Sequence, residues 1–378
     1  MKKVISVVLN NFTNDSRVLK EAISLQKAGY EVEVVALWEE GLKEYETIKN
    51  ISVHRVKLKS KNWSKNRFIQ LIKYLEFIYK TVKKYKNSDI FHCNDLSSLP
   101  VGVVVKKFYN KNIKIVYDAH EYETEIDGLN GIKKSLVKFL EKRFIKYANK
   151  VITVSEAIAN EYVKLYNIEK PALVLNTPPY KKIEKKDIFR ETFKIDKDKT
   201  IFLYQGGLSS GRGIEILLEA FKNIDNKNLV IVFMGYGVLE EEIKKISKEH
   251  HNIYFHKAVS SEILLDYTSS ADFGILFYEN SCLNHYYCSP NKMFEYLMAE
   301  LPVIVSNLYE MRRLVEKNGI GVVAKENTPK GLQNAIIEAQ KLDKNKLKDN
   351  IKKVKEIYNW QEQEKVLLEI YKGLFDVK

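Results

Sequence analysis

The sequence predicts an α/β protein with two parallel-sheet domains of similar size, facing each other across a cleft. Three observations carry this. Short apolar runs alternate with amphipathic segments along the chain, the pattern of repeated βαβ units. The alternation breaks at Asn176-Thr177-Pro178-Pro179-Tyr180 and the charged run 181–199, and then restarts. The 378 residues are enough for two cores of ordinary size. The expected divisions are a first domain at 1–178, a linker at 179–199, a second domain at 200–357 and a returning helix at 358–378.

In the first domain, strands are expected at 4–9, 32–37, 52–56, 90–92, 113–117, 151–154 and 173–175. Helices are expected at 16–28, 67–84, 97–108 and 133–148. The run 4–9 could pass for a signal peptide, but it is six residues long, ends in Asn10-Asn11 and lacks a small-residue cleavage site, so a first strand fits better. The following loop, Asn10 to Arg17, has no GxGxxG, which weighs against a dinucleotide oxidoreductase. Asp15 or Ser16 can cap the next helix, leaving Asn14 and Arg17 to meet an anion or a hydroxyl-rich ligand; a plain cap explains the residues equally well. After the fifth strand comes Tyr117-Asp118-Ala119-His120-Glu121-Tyr122-Glu123. A metal would need ligands converging from elsewhere, and only His92 is expected nearby, so no metal is expected. His120 reads as a neutral hydrogen-bonding group whose ring Asp118 fixes, with a satisfied structural histidine as the alternative.

In the second domain, strands are expected at 201–204, 229–233, 253–256, 273–276, 303–306 and 322–324, with helices between them. The loop Gln205-Gly206-Gly207-Leu208-Ser209-Ser210-Gly211-Arg212-Gly213 allows close backbone approach to a phosphate, which Arg212 can take bidentately. A tight turn follows at Met234-Gly235-Tyr236-Gly237. In Cys288-Ser289-Pro290-Asn291-Lys292-Met293-Phe294-Glu295, Ser289 suits an N-cap and Pro290 the first helical position. The helix tip and Lys292 would attract an anion, and Glu295 one turn on could take two hydroxyls, as from a ribose. The same residues also make an ordinary capped helix with a surface Lys and Glu.

The net charge of +13 is uneven. Residues 1–180 carry 31 Lys+Arg against 20 Asp+Glu, and residues 181–378 carry 31 against 29. The basic half should face something anionic, unless it only reflects drift in a lysine-rich proteome. The basic and aromatic stretch 57–68 and the basic amphipathic segment 132–148 lie there, as attachment to an anionic membrane requires, although a solvated helix face explains the segment as well. No run approaches 18 apolar residues, and three cysteines without CxxC spacing point to a reducing cytoplasm. No motif supplies nucleic-acid base readout, so no nucleic-acid partner is expected.

These pieces resemble, in order and over nearly the whole chain, the GT-B glycosyltransferases, specifically glycosyltransferase family 4. They are Asn14-Asp15-Ser16-Arg17-Val18 with Ala28-Gly29-Tyr30-Glu31-Val32, Tyr117-Asp118-Ala119-His120-Glu121, and Val154-Ser155-Glu156. The series continues with residues 206–213, Phe233-Met234-Gly235-Tyr236-Gly237, and Pro290-Asn291-Lys292-Met293-Phe294-Glu295-Tyr296 before Leu301-Pro302-Val303-Ile304. The resemblance implies two Rossmann-like domains, the second holding a nucleoside-diphosphate sugar (UDP-linked by preference) and the first an acceptor, with a final helix crossing back. It also implies metal-independent transfer with retention, to a glycan or lipid-linked hydroxyl in cell-surface polysaccharide or glycoconjugate synthesis. The protein would act in the cytoplasm or peripherally at the inner membrane face.

The expected donor-binding residues are Gly206, Gly207, Arg212, Gly235, His256, Lys257, Ser289, Pro290, Asn291, Lys292 and Glu295. His120, Arg212, Lys292 and Glu295 are expected to carry catalysis, and Asn14, Arg17 and Glu121 to meet the acceptor. The family's paired glutamates are matched only by Glu295, since Tyr287 stands at the first position. An arginine usual near Gly206 is also missing, and Lys292 would supply its charge. A sugar-nucleotide epimerase of the same fold and a catalytically silent partner subunit are the alternatives.

Overall fold

The computed structural model describes residues 1–375. The chain forms two compact units, residues 1–174 joined by the stretch from Glu364 onward, and residues 175–363.

The first unit runs β1 (Lys3–Val7), α1 (Ser16–Lys27), β2 (Glu31–Leu37), β3 (Tyr45–Ile48), β4 (Ile51–Val56), α2 (Arg67–Tyr85) and β5 (Ile90–Asn94). It continues through α3 (Asp95–Phe108), β6 (Lys114–Ala119), α4 (Gly131–Phe144), β7 (Lys150–Thr153), α5 (Glu156–Tyr166) and β8 (Ala172–Leu173). The sheet order is β3-β4-β2-β1-β5-β6-β7-β8. Strands β1, β5 and β6 are buried almost throughout, because helices cover both faces of a parallel sheet, and their sequences are therefore continuous apolar runs. Among the described residues, only the β3–β4 edge is antiparallel. Its two-residue turn, Lys49-Asn50, has both residues at positive φ (48° and 70°), the geometry that matches strand twist. β3 escapes the sequence reading because Tyr45-Glu46-Thr47-Ile48 is half exposed and Lys-Asn is not the usual turn pair.

The second unit begins at Leu175, within the expected first domain, and takes in the whole stretch expected as a linker. Residues 179–199 instead contain α6 (Ile188–Phe193), whose Phe189 is fully buried beside Ile195 and Ile201. Asp272 fastens this stretch by accepting from Arg190 (3.1 Å) and pairing with Lys185 (3.2 Å). There follow β9 (Thr200–Gly207), α7 (Ile214–Lys222), β10 (Leu229–Tyr236), α8 (Glu240–Glu249), β11 (Ile253–Lys257), α9 (Leu264–Thr268), β12 (Phe273–Leu276) and α10 (Leu283–Tyr287). The unit ends with α11 (Asn291–Met298), β13 (Val303–Val305), α12 (Tyr309–Asn318), β14 (Gly321–Val323), α13 (Pro329–Gln340) and α14 (Lys344–Ile357). The all-parallel order is β11-β10-β9-β12-β13-β14, with an apolar core on each face.

In both sheets the strand order reverses once, between β1 and β5 and between β9 and β12, and ligands of doubly wound sheets bind beyond the carboxyl ends at such points. Asn359 separates α14 from α15 (Trp360–Lys372): its Nδ2 donates to Lys355 O (3.0 Å) and Glu356 O (2.9 Å), while its Oδ1 accepts from Glu362 N (3.1 Å), closing one helix and capping the next. α15 starts in the second unit and continues into the first, where Tyr371 is fully buried against Tyr30.

Candidate active site

In the second unit, β9 ends at Gly206-Gly207, on the switch point. Gly213, at φ 73°, turns the loop into α7, and a Cβ there would lie 1.6 Å from the Phe277 carbonyl oxygen. Gly235 is equally constrained, since a Cβ would lie 1.9 Å from Gly206 O. These two glycines hold Gly206 and Arg212 at the ends of β9 and β12.

Helix α11 is pinned from beneath. Tyr296 lies over Gly274, its hydroxyl donating to Leu203 O (3.0 Å) and accepting from Gln205 N (3.0 Å). Gln205 is itself buried: its Oε1 accepts from Thr268 Oγ1 (2.8 Å), which leaves Nε2 to donate to Glu295 Oε2 (2.6 Å). The glutamate one turn down the helix is thus held at a fixed height.

Pro290 is the N-cap of α11, with φ −63° and ψ 138°, and no side chain caps the first N–H groups. This corrects the expectation of a Ser289 cap with Pro290 inside the helix. Proline adopts the extended cap conformation without strain, and the Ser289 hydroxyl stays buried without a partner. The Lys292 ammonium is likewise buried and without a hydrogen-bond partner. It sits 4.0 Å from the Tyr204 ring centroid and 5.5 Å from that of Tyr278, a cation–π arrangement. It runs close beneath Gly206, where a Cβ would come within 3.4 Å. Burial, then the neighbouring Arg212, push its pKa down to about 7 against the opposing pull of Glu295 and Cys288. Arg212 donates from Nη1 to the Tyr278 hydroxyl (2.6 Å) and lies 5.1 Å from that ring centroid.

Of the other expected donor residues, Gly207, Lys257 and Asn291 are exposed. His256 packs in an aromatic cluster, 4.9 Å from the Tyr267 ring, with Nδ1 2.6 Å from Lys257 O. Tyr287, at the position of the missing glutamate, packs tilted against Tyr286 (5.1 Å) and edge-on against Tyr309 (5.7 Å).

In the first unit, a buried charge network lies at the ends of β5 and β6. Arg17 is buried, with Nε and Nη2 on Asp118 (3.1 and 2.8 Å), Nη1 on Val174 O (2.7 Å), and Nε 3.2 Å from Glu21. This corrects its expected acceptor role: the guanidinium is spent on fixing Asp118, because a carboxylate with no access to water needs a buried cation. Asp118 is held well below the usual carboxylate range, since Arg17 and His120 together outweigh its burial. Glu21, His92 and Asp118 each bring a ligand-type atom within 4.8 Å of the others. The Arg17 guanidinium already lies against both carboxylates, so the cluster is an ion-paired one. His92 Nδ1 is 2.7 Å from the Tyr371 hydroxyl of α15.

His120 lies at the outer edge of this network, with Nε2 3.1 Å from Asp118 Oδ2 and Nδ1 3.4 Å from Asp95 Oδ1. It is not neutral as expected. Burial opposes its charge, but Asp118 and Asp95 override that and raise its pKa to about 9, so the ring is an imidazolium at neutral pH. Asn14 and Glu121 are exposed. Asp95, Gln205, Thr268, Tyr204 and Tyr278 were not singled out from sequence, because each acquires its part only through a neighbour distant in the chain.

Comparison with known proteins assigns this architecture. The Glycosyltransferase Family 4 sequence model matches residues 16–177, and that of Glycosyl transferases group 1 matches residues 185–356. An uncharacterised glycosyltransferase of Methanocaldococcus jannaschii is 25% identical, the match covering 93% of this chain and 92% of that protein. The chitobiosyldiphosphodolichol beta-mannosyltransferase of Candida albicans is 22% identical over 89% of this chain and 80% of that one. Among solved structures, sucrose-phosphate synthase from Thermosynechococcus elongatus superposes with a TM-score of 0.81 at 16% identity, covering 99% of both chains. Anabaena HepE in complex with UDP and glucose gives 0.74 at 14%, again with 99% of each chain covered. The chain is a glycosyltransferase of the GT-B fold.

Proposed function

We propose that the chain transfers a sugar from a nucleoside-diphosphate sugar, UDP-linked by preference, to a hydroxyl of a glycan or lipid-linked acceptor. The observation that carries this is Lys292. Its ammonium is buried without a hydrogen-bond partner, and Arg212 lies close enough to depress its pKa. Two neighbouring cations in a water-poor site repel each other, and an anion with several oxygens relieves both the repulsion and the desolvation. A diphosphate has that charge and span. Ser289 Oγ and the uncapped start of α11 offer further donors, and Glu295, oriented by Gln205, offers acceptors for two hydroxyls.

Catalysis follows from charge. As the glycosidic bond to the donor breaks, negative charge grows on the leaving diphosphate, so Arg212 and protonated Lys292 bind the transition state more tightly than the ground state. The two cations supply the charge that a metal would otherwise bring, and activity is expected to survive EDTA. Incubation with a panel of nucleotide sugars and mass analysis of products tests the reading. Transfer to an added glycan supports it, release of an epimerised donor would favour the epimerase alternative, and no turnover would favour a silent partner subunit. Retention is the stereochemistry proposed, with His120 against the donor sugar. The Candida albicans relative is named for a beta-mannosyl product, so the anomeric configuration found by NMR decides between retention and inversion.

The acceptor side is proposed to work at the cytoplasmic face of a membrane. On α4, Ile132, Leu136 and Phe139 are 90, 55 and 63% exposed and share one helical face; on α2, Phe68, Leu71, Leu75 and Tyr79 do the same. Lys133, Lys142 and Arg143 stand exposed around the first of these stripes, a combination suited to anionic lipid. Among the described residues, no helix is long and apolar enough to cross a membrane.

A further inference from the structure

Asp95 sits where an ordinary residue is unwelcome. It follows β5 at the switch point and opens α3 with φ 62°, in the left-handed region that non-glycine residues avoid and that aspartate and asparagine tolerate best. Its carboxylate is turned toward the His120 ring, 3.4 Å from Nδ1. A side chain merely favouring the helix N-terminus has no need of this conformation.

A second carboxyl lies behind it. Burial, then the adjacent Asp95 carboxylate, hold the Glu123 carboxyl well above the usual range.

We propose that Asp95 is a positioning residue for His120: from the Nδ1 side it fixes the orientation of a ring that Asp118 holds from the Nε2 side. The groups facing the ring are Asp118 and Asp95, which favour its charge, and Arg17, which opposes it; the Glu21 carboxylate also acts on the ring when ionised. Without Asp95, the partly buried imidazole keeps one carboxylate against a nearby guanidinium, and its charge and orientation both loosen. The kinetic consequence rests on the glycosyl-transfer reading above, while the structural one does not.

The test is Asp95→Asn, because asparagine keeps the left-handed preference and the shape while removing the charge. The His120 titration is followed by NMR of the imidazole Cε1–H in the full-length protein, with His120→Gln to assign the signal. In Asp95→Asn the midpoint is expected to fall toward the ordinary histidine value near 6.5, by roughly one pH unit or more. In Glu123→Gln, which leaves both carboxylates facing the ring in place, it should stay within about 0.3 of wild type. Once a donor is found, Asp95→Asn should lower kcat at pH 8 about tenfold or more and leave the donor KM within about twofold. An unchanged His120 midpoint in a folded Asp95→Asn protein overturns the proposal. A failure to find any transferase activity leaves the titration result standing and instead tells against the functional reading.

Discussion

At the scale of single residues, the second unit is organised around a cation it cannot solvate. A buried lysine titrating near 7 is charged in the unfolded chain and largely neutral in the folded one between about pH 7 and 10.4. In that window the unfolded state binds more protons, so this group's contribution to stability rises with pH and is smallest below 7. Lys292→Met should therefore stabilise the ligand-free protein at pH 6 by about 1 kcal/mol or more, seen in denaturant unfolding. The same change should weaken nucleoside-diphosphate binding by about 10- to 100-fold, equivalent to roughly 1.5–3 kcal/mol. A gain in fold stability with a loss of affinity is the signature of a binding residue. Lys292 and Glu295 were singled out from sequence because they lie in one short loop-and-helix pattern, and Arg212 because it closes a glycine-rich loop. Arg17 misled because the sequence cannot show that Asp118, 101 positions on, waits for it in the core. The charge of His120 was hidden in part for the same reason: besides the neighbouring Asp118 it depends on Asp95, which the sheet brings over from the preceding strand.

At the scale of elements, the parallel strands were legible because burial on both faces leaves continuous apolar runs. The antiparallel edge strand β3 and the docked helix α6 were not, since one is half exposed and the other carries its anchor, Phe189, inside a charged run. The glycine loop was expected to admit a phosphate, and the packing beneath it shows which of its glycines has no room for a Cβ. Gly213→Ala combines φ 73° with a Cβ 1.6 Å from a carbonyl oxygen, and should destabilise the second unit by about 2 kcal/mol or more while impairing donor binding. Thermal unfolding and nucleotide titration check both effects. The exposed stripe of α4 supports a separate expectation. Wild-type protein should float with vesicles rich in anionic lipid and not with neutral ones, and Leu136→Ser with Phe139→Ser should reduce flotation several-fold without altering nucleotide binding. Flotation indifferent to lipid charge or to this double substitution would remove the membrane assignment.

At the scale of the whole molecule, the proposed chemistry is divided between the two units. The second carries the paired cations and the oriented glutamate, and the first carries the charged histidine with its ion-paired support. α15, capped by Asn359, runs from one into the other and brings Tyr371 to His92. The division into two α/β units was readable from the break and restart of the strand–helix pattern, whereas their discontinuous membership depends on where α15 packs. The central claim is that a diphosphate completes the Lys292–Arg212 site. The most direct measurement is isothermal titration of metal-free nucleoside diphosphates at pH 8.5 in buffers of different ionisation enthalpy. Binding should draw up to about one proton into Lys292 as the diphosphate restores its charge, and that uptake should vanish in Lys292→Met. Binding without proton uptake, or undiminished in Lys292→Met, would contradict the account, as would the failure of every nucleoside diphosphate to bind.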